Sequence, residues 1–209
     1  MGRWQPDSRG RLQEAALALY SERGFDQTTA SQIAERAGLT ERTFFRHFVD
    51  KREVLFGGST VLQDHVVAAV AGADATDGPM QAVGRGLAAA ADMLGAGRKD
   101  LIRQRHGVIS ANPELREREL VKLSDCGAAV AAALIKRGVR DLFAHLAADA
   151  AMTVLRSGIE RWAYGDDDRS LAMVMDELLA DMKALLLSAS AIPVLASQST
   201  DIEPESQHV

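Results

Sequence analysis

A single cysteine, Cys126, excludes any intrachain disulfide. It sits in the Ala-rich stretch 124–133, where a packed, inert thiol is the simplest reading. Aromatic residues are scarce at 5%, and the strand-type alternation of Val, Ile and Thr is missing, while Ala and Leu abound. These features predict an all-α protein. No proline falls between Pro6 and Pro79, so nothing in that stretch forbids a helix. No uninterrupted apolar run reaches the roughly 18 residues of a membrane span. Residues 4–10 are polar where a secretion signal needs an apolar core. A cytoplasmic protein with no membrane association is expected.

The constellations of enzymes are missing too. Gly84-Arg85-Gly86 has Ala89 where a dinucleotide fingerprint places glycine, and it follows no strand. Gly95-Ala96-Gly97-Arg98-Lys99 lacks phosphate-loop spacing. The five histidines include no His-Glu-x-x-His pair, and Cys126 has no evident histidine partner. Asp166-Asp167-Asp168 reads as a helix-capping turn before it reads as a metal loop. No catalytic residue, metal or cofactor is expected, and the chain is read as a non-enzyme.

The net charge of −5 does not favour a polyanionic partner, but its distribution does. Residues 1–56 carry nine Lys or Arg against eight Asp or Glu, whereas the remainder carries 15 against 21. Arg3, Arg9 and Arg11 precede the first helical pattern. Arg42, Arg46, Lys51 and Arg52 lie near the end of the same segment.

Along the chain, residues 1–10 are expected to be mobile. Leu12, Ala15, Ala16, Leu19 and Tyr20 then recur at helical spacing, and Gly24 is a left-handed stop. Thr29 caps a short helix with Gln32 in the partner position of a capping box. Ile33, Ala34 and Ala37 give that helix its inner face before Gly38 turns the chain. Thr40 caps a helix running to about His47 or Phe48, and Asp50 with Glu53 marks another start. Further helices are predicted at 51–71, 79–95, 98–110, 113–136, 142–163 and 168–188. The division expected is a three-helix head at 8–56, a larger helical body at 57–188, and a disordered tail at 189–209.

On a helical wheel, Phe44 and Phe48 fall on one side of segment 40–48, toward Leu19, Ile33 and Ala34. Arg42 and Arg46 fall on the opposite side. Two arginines at i, i+4 repel by a few tenths of a kcal/mol, and nothing in the helix compensates them. A polyanion would, and such a helix fits a DNA major groove, where Arg reads guanine. The short turn Ala37-Gly38-Leu39 lets the second helix enter that groove. Thr28, Thr29 and Lys51 flank it.

The stretch 28–55, from Thr28-Thr29-Ala30-Ser31-Gln32-Ile33-Ala34 through Ala37-Gly38-Leu39 to Phe44-Phe45-Arg46-His47-Phe48 and Lys51, resembles the N-terminal domain of the TetR family. The resemblance covers about residues 8–56. It implies that Thr29, Thr43, Phe45, His47 and Lys51 touch backbone phosphates, while Thr40, Glu41, Arg42 and Arg46 sit where bases are read. Arg42 stands where glycine is common, which implies a more guanine-containing half-site. Phe45 replaces a common tyrosine and loses a hydroxyl contact to phosphate.

A dimer reading two half-sites of a palindromic operator follows from the resemblance. The last helix offers a seam in Leu171, Val174, Met175, Leu178, Leu179, Met182, Leu185 and Leu186. The helix before it is apolar nearly all round: Leu142, Phe143, Leu146, Ala147, Ala150, Ala151, Val154, Leu155 and Ile159. Either stripe alone could be intrachain core. Arg156 pairs with Glu160 on a solvated face or else meets an anionic ligand. Arg103, Arg105 and His106 form a second candidate cationic wall, with Met93, Met152 and Trp162 as apolar lining. Asn112-Pro113-Glu114-Leu115-Arg116, with Arg156 and Trp162, is similar to a TetR subgroup thought to bind acyl-CoA-like molecules. The implied protein is a ligand-responsive repressor, released from DNA by a small anionic apolar effector. An activator of the same fold, or a helical protein-binding adaptor, is the alternative. Gly57-Gly58 is read as a hinge or as a point of close packing.

Overall fold

The computed structural model describes residues 7–95, 97–166 and 168–187, and every regular element among them is helical. The first three are α1 (Ser8–Arg23), α2 (Ala30–Arg36) and α3 (Glu41–His47), followed by a 3₁₀ turn (Glu53–Phe56). The rest are α4 (Ser59–Ala71), α5 (Pro79–Gly95), α6 (Lys99–Ala111), α7 (Pro113–Lys136), α8 (Asp141–Tyr164) and α9 (Leu171–Leu187). The tail at 189–209 lies outside the described residues.

Local chemistry accounts for most boundaries. The Asp7 carboxylate accepts from the Gly10 amide at 2.7 Å and starts α1 at Ser8. Residues 8–10 are therefore the first turn of a helix, not a mobile arm. Gly24 ends α1 with φ 85° and ψ 159°, a positive-φ glycine conformation other than the left-handed helical one expected. The capping box at Thr29 is complete: its hydroxyl accepts from the Gln32 amide at 3.2 Å, and the Gln32 side chain accepts from the Thr29 amide at 3.0 Å. Thr40 caps α3 by accepting from the Thr43 amide.

The helix predicted over 51–71 is instead two pieces. Asp50 accepts from the amides of Arg52 and Glu53 at 2.8 and 3.1 Å. The Glu53 side chain does not return to complete a capping box; it pairs with Arg118 and Lys122 on α7. Gly57 then breaks the run. A Cβ there would meet Phe48 Cε1 and Gln13 Nε2 at 2.9 Å, and the Gly57 carbonyl accepts from Arg9 at 2.6 Å. By length and mean hydropathy, 1.4, Glu53–Ala71 would suit a membrane span. Here it is interrupted at the glycines, and α4 buries Val66 and Val70 against the body.

Two hydrophobic cores result. The first gathers Leu12, Leu19, Ile33, Phe44, Phe48 and Val54, and reaches Val108 and Ile109 on α6 and Leu115 on α7. The second packs α4 on α5, α7 on α8, and α9 across α5 and α8. Helix α6 touches α1 on one side and α8 on the other, joining the two cores.

The apolar stripes of the last two helices divide. Leu171, Val174, Met175 and Leu179 belong to the chain's own core, with Leu178 and Met182 packed beside them. Ala147, Ala151, Val154 and Leu155 are likewise internal. Leu142, Phe143 and Leu146 at the start of α8, and Met173, Leu185 and Leu187 on α9, are exposed. The side chain of Leu186 lies outside the described residues. Most of the expected seam is therefore core, and what these two helices leave exposed lies at the start of α8 and at scattered positions of α9.

Candidate nucleic-acid interface and effector cavity

Helix α3 is held by one face and free on the other. Phe44 is fully buried and Phe48 nearly so, their ring centroids 5.7 Å apart. Arg9 lies over the Phe48 ring at 5.2 Å. Gly38, at φ 64°, makes the turn between α2 and α3, and Arg11 donates to the Ala37 carbonyl beside it. A Cβ on Gly38 would meet that guanidinium at 2.9 Å. The positive φ is what favours glycine in this turn, since the Arg11 side chain could give way to a Cβ.

Glu41, Arg42, Phe45 and Arg46 are exposed on the opposite face. Among the described residues, Arg42 and Arg46 have no ion-pair or hydrogen-bond partner. Arg36, nearby on α2, does: it forks onto Glu22 at 2.6 and 3.2 Å. Thr40 and Thr43 bring their hydroxyls within 3.0 Å at the start of α3, and Thr29 is exposed at the start of α2. Two helix N-termini therefore present amide and hydroxyl groups beside the arginine face. His47 is half-buried, and its Nε2 is enclosed without a partner among the described residues.

Two expected contacts do different work. Thr28 is 1% exposed, and its hydroxyl donates to the Gly24 carbonyl at 2.9 Å. It stitches the α1–α2 turn and presents nothing to DNA. Lys51 donates to the carbonyls of Phe25 and Thr28 at 2.8 and 3.0 Å and lies 4.2 Å from the Phe25 ring centroid. Tyr20 donates to the Lys51 carbonyl at 2.5 Å. The Lys51 ammonium clips the end of α3 to the α1–α2 turn.

The expected pocket residues scatter. Arg103 donates to the Ala163 carbonyl at 2.6 Å and pairs with Asp100. His106 meets the Tyr164 hydroxyl at 3.0 Å, and Trp162 is buried with its indole donating to the Arg169 carbonyl at 3.1 Å. Arg103 and His106 join α6 to the end of α8, and Trp162 ties that end to the segment before α9. Met152 and Arg156 line a shallow groove between α7 and α8, with Leu120, Gly127 and Asp149. The Arg156–Glu160 pair does not form at salt-bridge distance among the described residues.

Of the expected pocket residues, Met93 and Arg105 line the cavity at the junction of the two cores. This cavity of about 240 Å³ is walled by Gln13 on α1, Leu55, Phe56 and Gly58 of the link, and side chains from α4 to α8. Its apolar part includes Leu62, Leu94, Ile102, Leu123, Leu155 and Ile159, and its charged part is Arg98, Arg105, Glu119 and Lys122. Arg105 donates to the Leu55 carbonyl at 2.9 Å, meets Glu119 at 3.3 Å and stacks near Phe56 at 5.2 Å. Lys122 lies 3.3 Å from Glu53. Burial pushes the Glu53 carboxyl up, but hydrogen bonding from Arg118 and the charge of Lys122 outweigh it, and the group ends below the usual carboxylate range. Sequence reasoning missed Lys122. The Arg118 and Lys122 spacing, i, i+4 on α7, puts both cations on one helix face, but the same helix carries Glu114, Glu117, Glu119 and Asp125, so the sequence alone did not single out Glu53 as their partner.

Comparison with known proteins follows the same division. The family described as bacterial regulatory proteins, tetR family, matches residues 12–56, and the MftR C-terminal domain matches residues 77–187. The HTH-type transcriptional regulator TcmR of Streptomyces glaucescens is 37% identical over 76 residues, 36% of this chain; the match spans 34% of that relative's length. The FadR transcriptional regulator of Bacillus subtilis, solved with stearoyl-CoA, superposes with a TM-score of 0.59 at 19% identity, covering 87% of this chain and 99% of that one. The Thermus thermophilus FadR repressor, solved with lauroyl-CoA, gives a TM-score of 0.51 at 25% identity, covering 90% and 98%.

Proposed function

Because the chain belongs to the TetR family of bacterial transcriptional regulators, we propose that it is a homodimeric repressor, released from a palindromic operator by a small-molecule effector. The observation that carries this is the pair Arg42 and Arg46. They are exposed, unpaired among the described residues, and set on a helix whose other face is locked by Phe44 and Phe48. Arg42, Arg46, Thr40 and Glu41 read base edges, and Arg42 favours guanine. Thr29, Thr43, Phe45 and His47 contact the phosphate backbone and fix the register. The protein acts in the cytoplasm, where its operator is.

Dimerisation uses the exposed apolar residues Leu142, Phe143 and Leu146 of α8 together with Met173 and the end of α9. The effector occupies the cavity behind Phe56 and Gly58, at the link between head and body. The acyl-CoA complexes of the two FadR proteins support an acyl-bearing anion as its class. Effector binding shifts the population between two arrangements of the heads.

The test is a mobility shift with DNA flanking the gene at two salt concentrations, repeated with Arg42→Ala and Arg46→Ala. Sequence-selective binding that weakens with salt and is lost in both variants is expected. Failure of the dimer to shift this DNA at low salt, together with no selectivity on a randomised duplex library, overturns the proposal.

A further inference from the structure

Building on that reading, we infer that the junction cavity takes a small amphipathic monoanion, whose charged end competes with Glu53 for Lys122 and so unfastens the link between head and body.

Charge points to the class of ligand. Three cations, Arg98, Arg105 and Lys122, line the cavity against one carboxylate, Glu119. The rest of the lining is largely aliphatic, including Ile102, Leu123, Leu155 and Ile159. A lining of this kind suits a ligand with both a carboxylate and a short hydrocarbon chain. Size narrows it further. At about 240 Å³ the cavity falls below the roughly 300 Å³ at which pockets for drug-sized ligands begin. That is the scale of a medium-chain carboxylate and smaller than a nucleotide-bearing thioester.

Connectivity points to the consequence. Lys122 and Arg105 both face the cavity, and both grip the 3₁₀ turn that leads from α3 to α4. Lys122 holds the Glu53 carboxylate, and Arg105 holds the Leu55 carbonyl. An anion entering the cavity offers these cations a second partner. Glu53 then keeps Arg118 alone, and the turn loses one of its ties to α7.

The experiment uses the full-length protein with octanoate, 1-octanol and octanoyl-CoA, followed by calorimetry and by release of a bound DNA duplex. Octanoate is expected to bind about tenfold tighter than octanol, the scale of one charge-assisted hydrogen bond, and to release DNA. Lys122→Met is expected to lose that preference, while Lys122→Arg keeps it; circular dichroism verifies that both are folded. Equal binding of octanoate and octanol, a preference that survives Lys122→Met, or much tighter binding of octanoyl-CoA overturns the inference. So does the absence of octanoate binding. Protein that binds DNA but is not released by octanoate removes this inference and leaves the regulator standing. Protein that selects octanoate over octanol through Lys122 yet ignores DNA removes the regulator and leaves the anion seat.

Discussion

Lys122 Nζ on α7 lies 3.3 Å from Glu53 Oε2, in the 3₁₀ turn that follows α3. Arg118, one turn earlier on α7, donates to the other oxygen of the same carboxylate. The body thus grips the head through a carboxylate only 17% exposed and shared by two cations. Such a triad is costly to break from one side, because removing the anion leaves two crowded positive charges.

Glu53→Gln is therefore expected to destabilise the protein by about 1–2 kcal/mol, less than a fully buried pair because Arg118 is 36% exposed. Urea unfolding of the variant beside the wild type measures it. An unchanged midpoint and slope would mean that the triad does not hold in solution.

The same carboxylate sets a pH dependence. Glu53, Asp50 and Asp77 all lie below the usual carboxylate range: Asp77 chiefly through its hydrogen bond from Arg85, Glu53 and Asp50 through partners that outweigh burial. The folded state binds fewer protons than the unfolded chain around pH 4, so their contribution is complete above about pH 5 and declines as the solution is acidified. Melting temperature should fall between pH 5 and 3, and less steeply in Glu53→Gln. Parallel curves for the two proteins would remove Glu53 from the account.

Thr28→Val separates a structural threonine from a DNA-contacting one. It removes the hydroxyl that donates to the Gly24 carbonyl and is expected to cost about 1 kcal/mol of stability. The salt dependence of DNA binding should stay as it is. Thr29→Ala, by contrast, removes a helix cap and, on the proposed function, a phosphate contact as well. It should lower stability by about 1 kcal/mol and DNA affinity for all sequences alike. A flatter salt slope in Thr28→Val would return that residue to the interface.

The contrast between these neighbours marks what a one-dimensional reading reaches. Thr29, Thr40 and Gly38 act on residues three or four positions away, so their roles were legible, as was the amphipathic division of α3. Lys51 acts on Phe25, 26 positions away, which only the fold brings near; Thr28 acts on Gly24, four positions back, but its burial inside the α1–α2 turn is visible only in the fold. The cavity is assembled from α1, the link and five further helices, so the seven residues chosen for a pocket by composition landed in three places, and only Met93 and Arg105 reached the cavity. Two i, i+4 cation pairs make an instructive contrast. On α7, Arg118 and Lys122 find Glu53 within the chain. On α3, Arg42 and Arg46 find no such anion among the described residues. The spacing is the same, and the three-dimensional setting separates the internal clamp from the exposed pair.

The two adjacent glycines between head and body give a final distinction. At Gly57 a Cβ would press on Phe48, part of the head core, and on Gln13, so Gly57→Ala should cost about 1–3 kcal/mol through overpacking. At Gly58 a Cβ meets nothing within 4 Å, and the backbone is in the right-handed helical region at φ −96°. Gly58→Ala should therefore stabilise by about 0.4–1 kcal/mol, by narrowing the unfolded ensemble. The variant also tests the hinge without the confounding loss of packing at Gly57. If the link must change its backbone angles for DNA release, Gly58→Ala will raise the effector concentration needed while increasing the melting temperature. If release is unaffected while stability rises, the link moves as a rigid piece, and Gly57 is there because Phe48 leaves no room for a side chain.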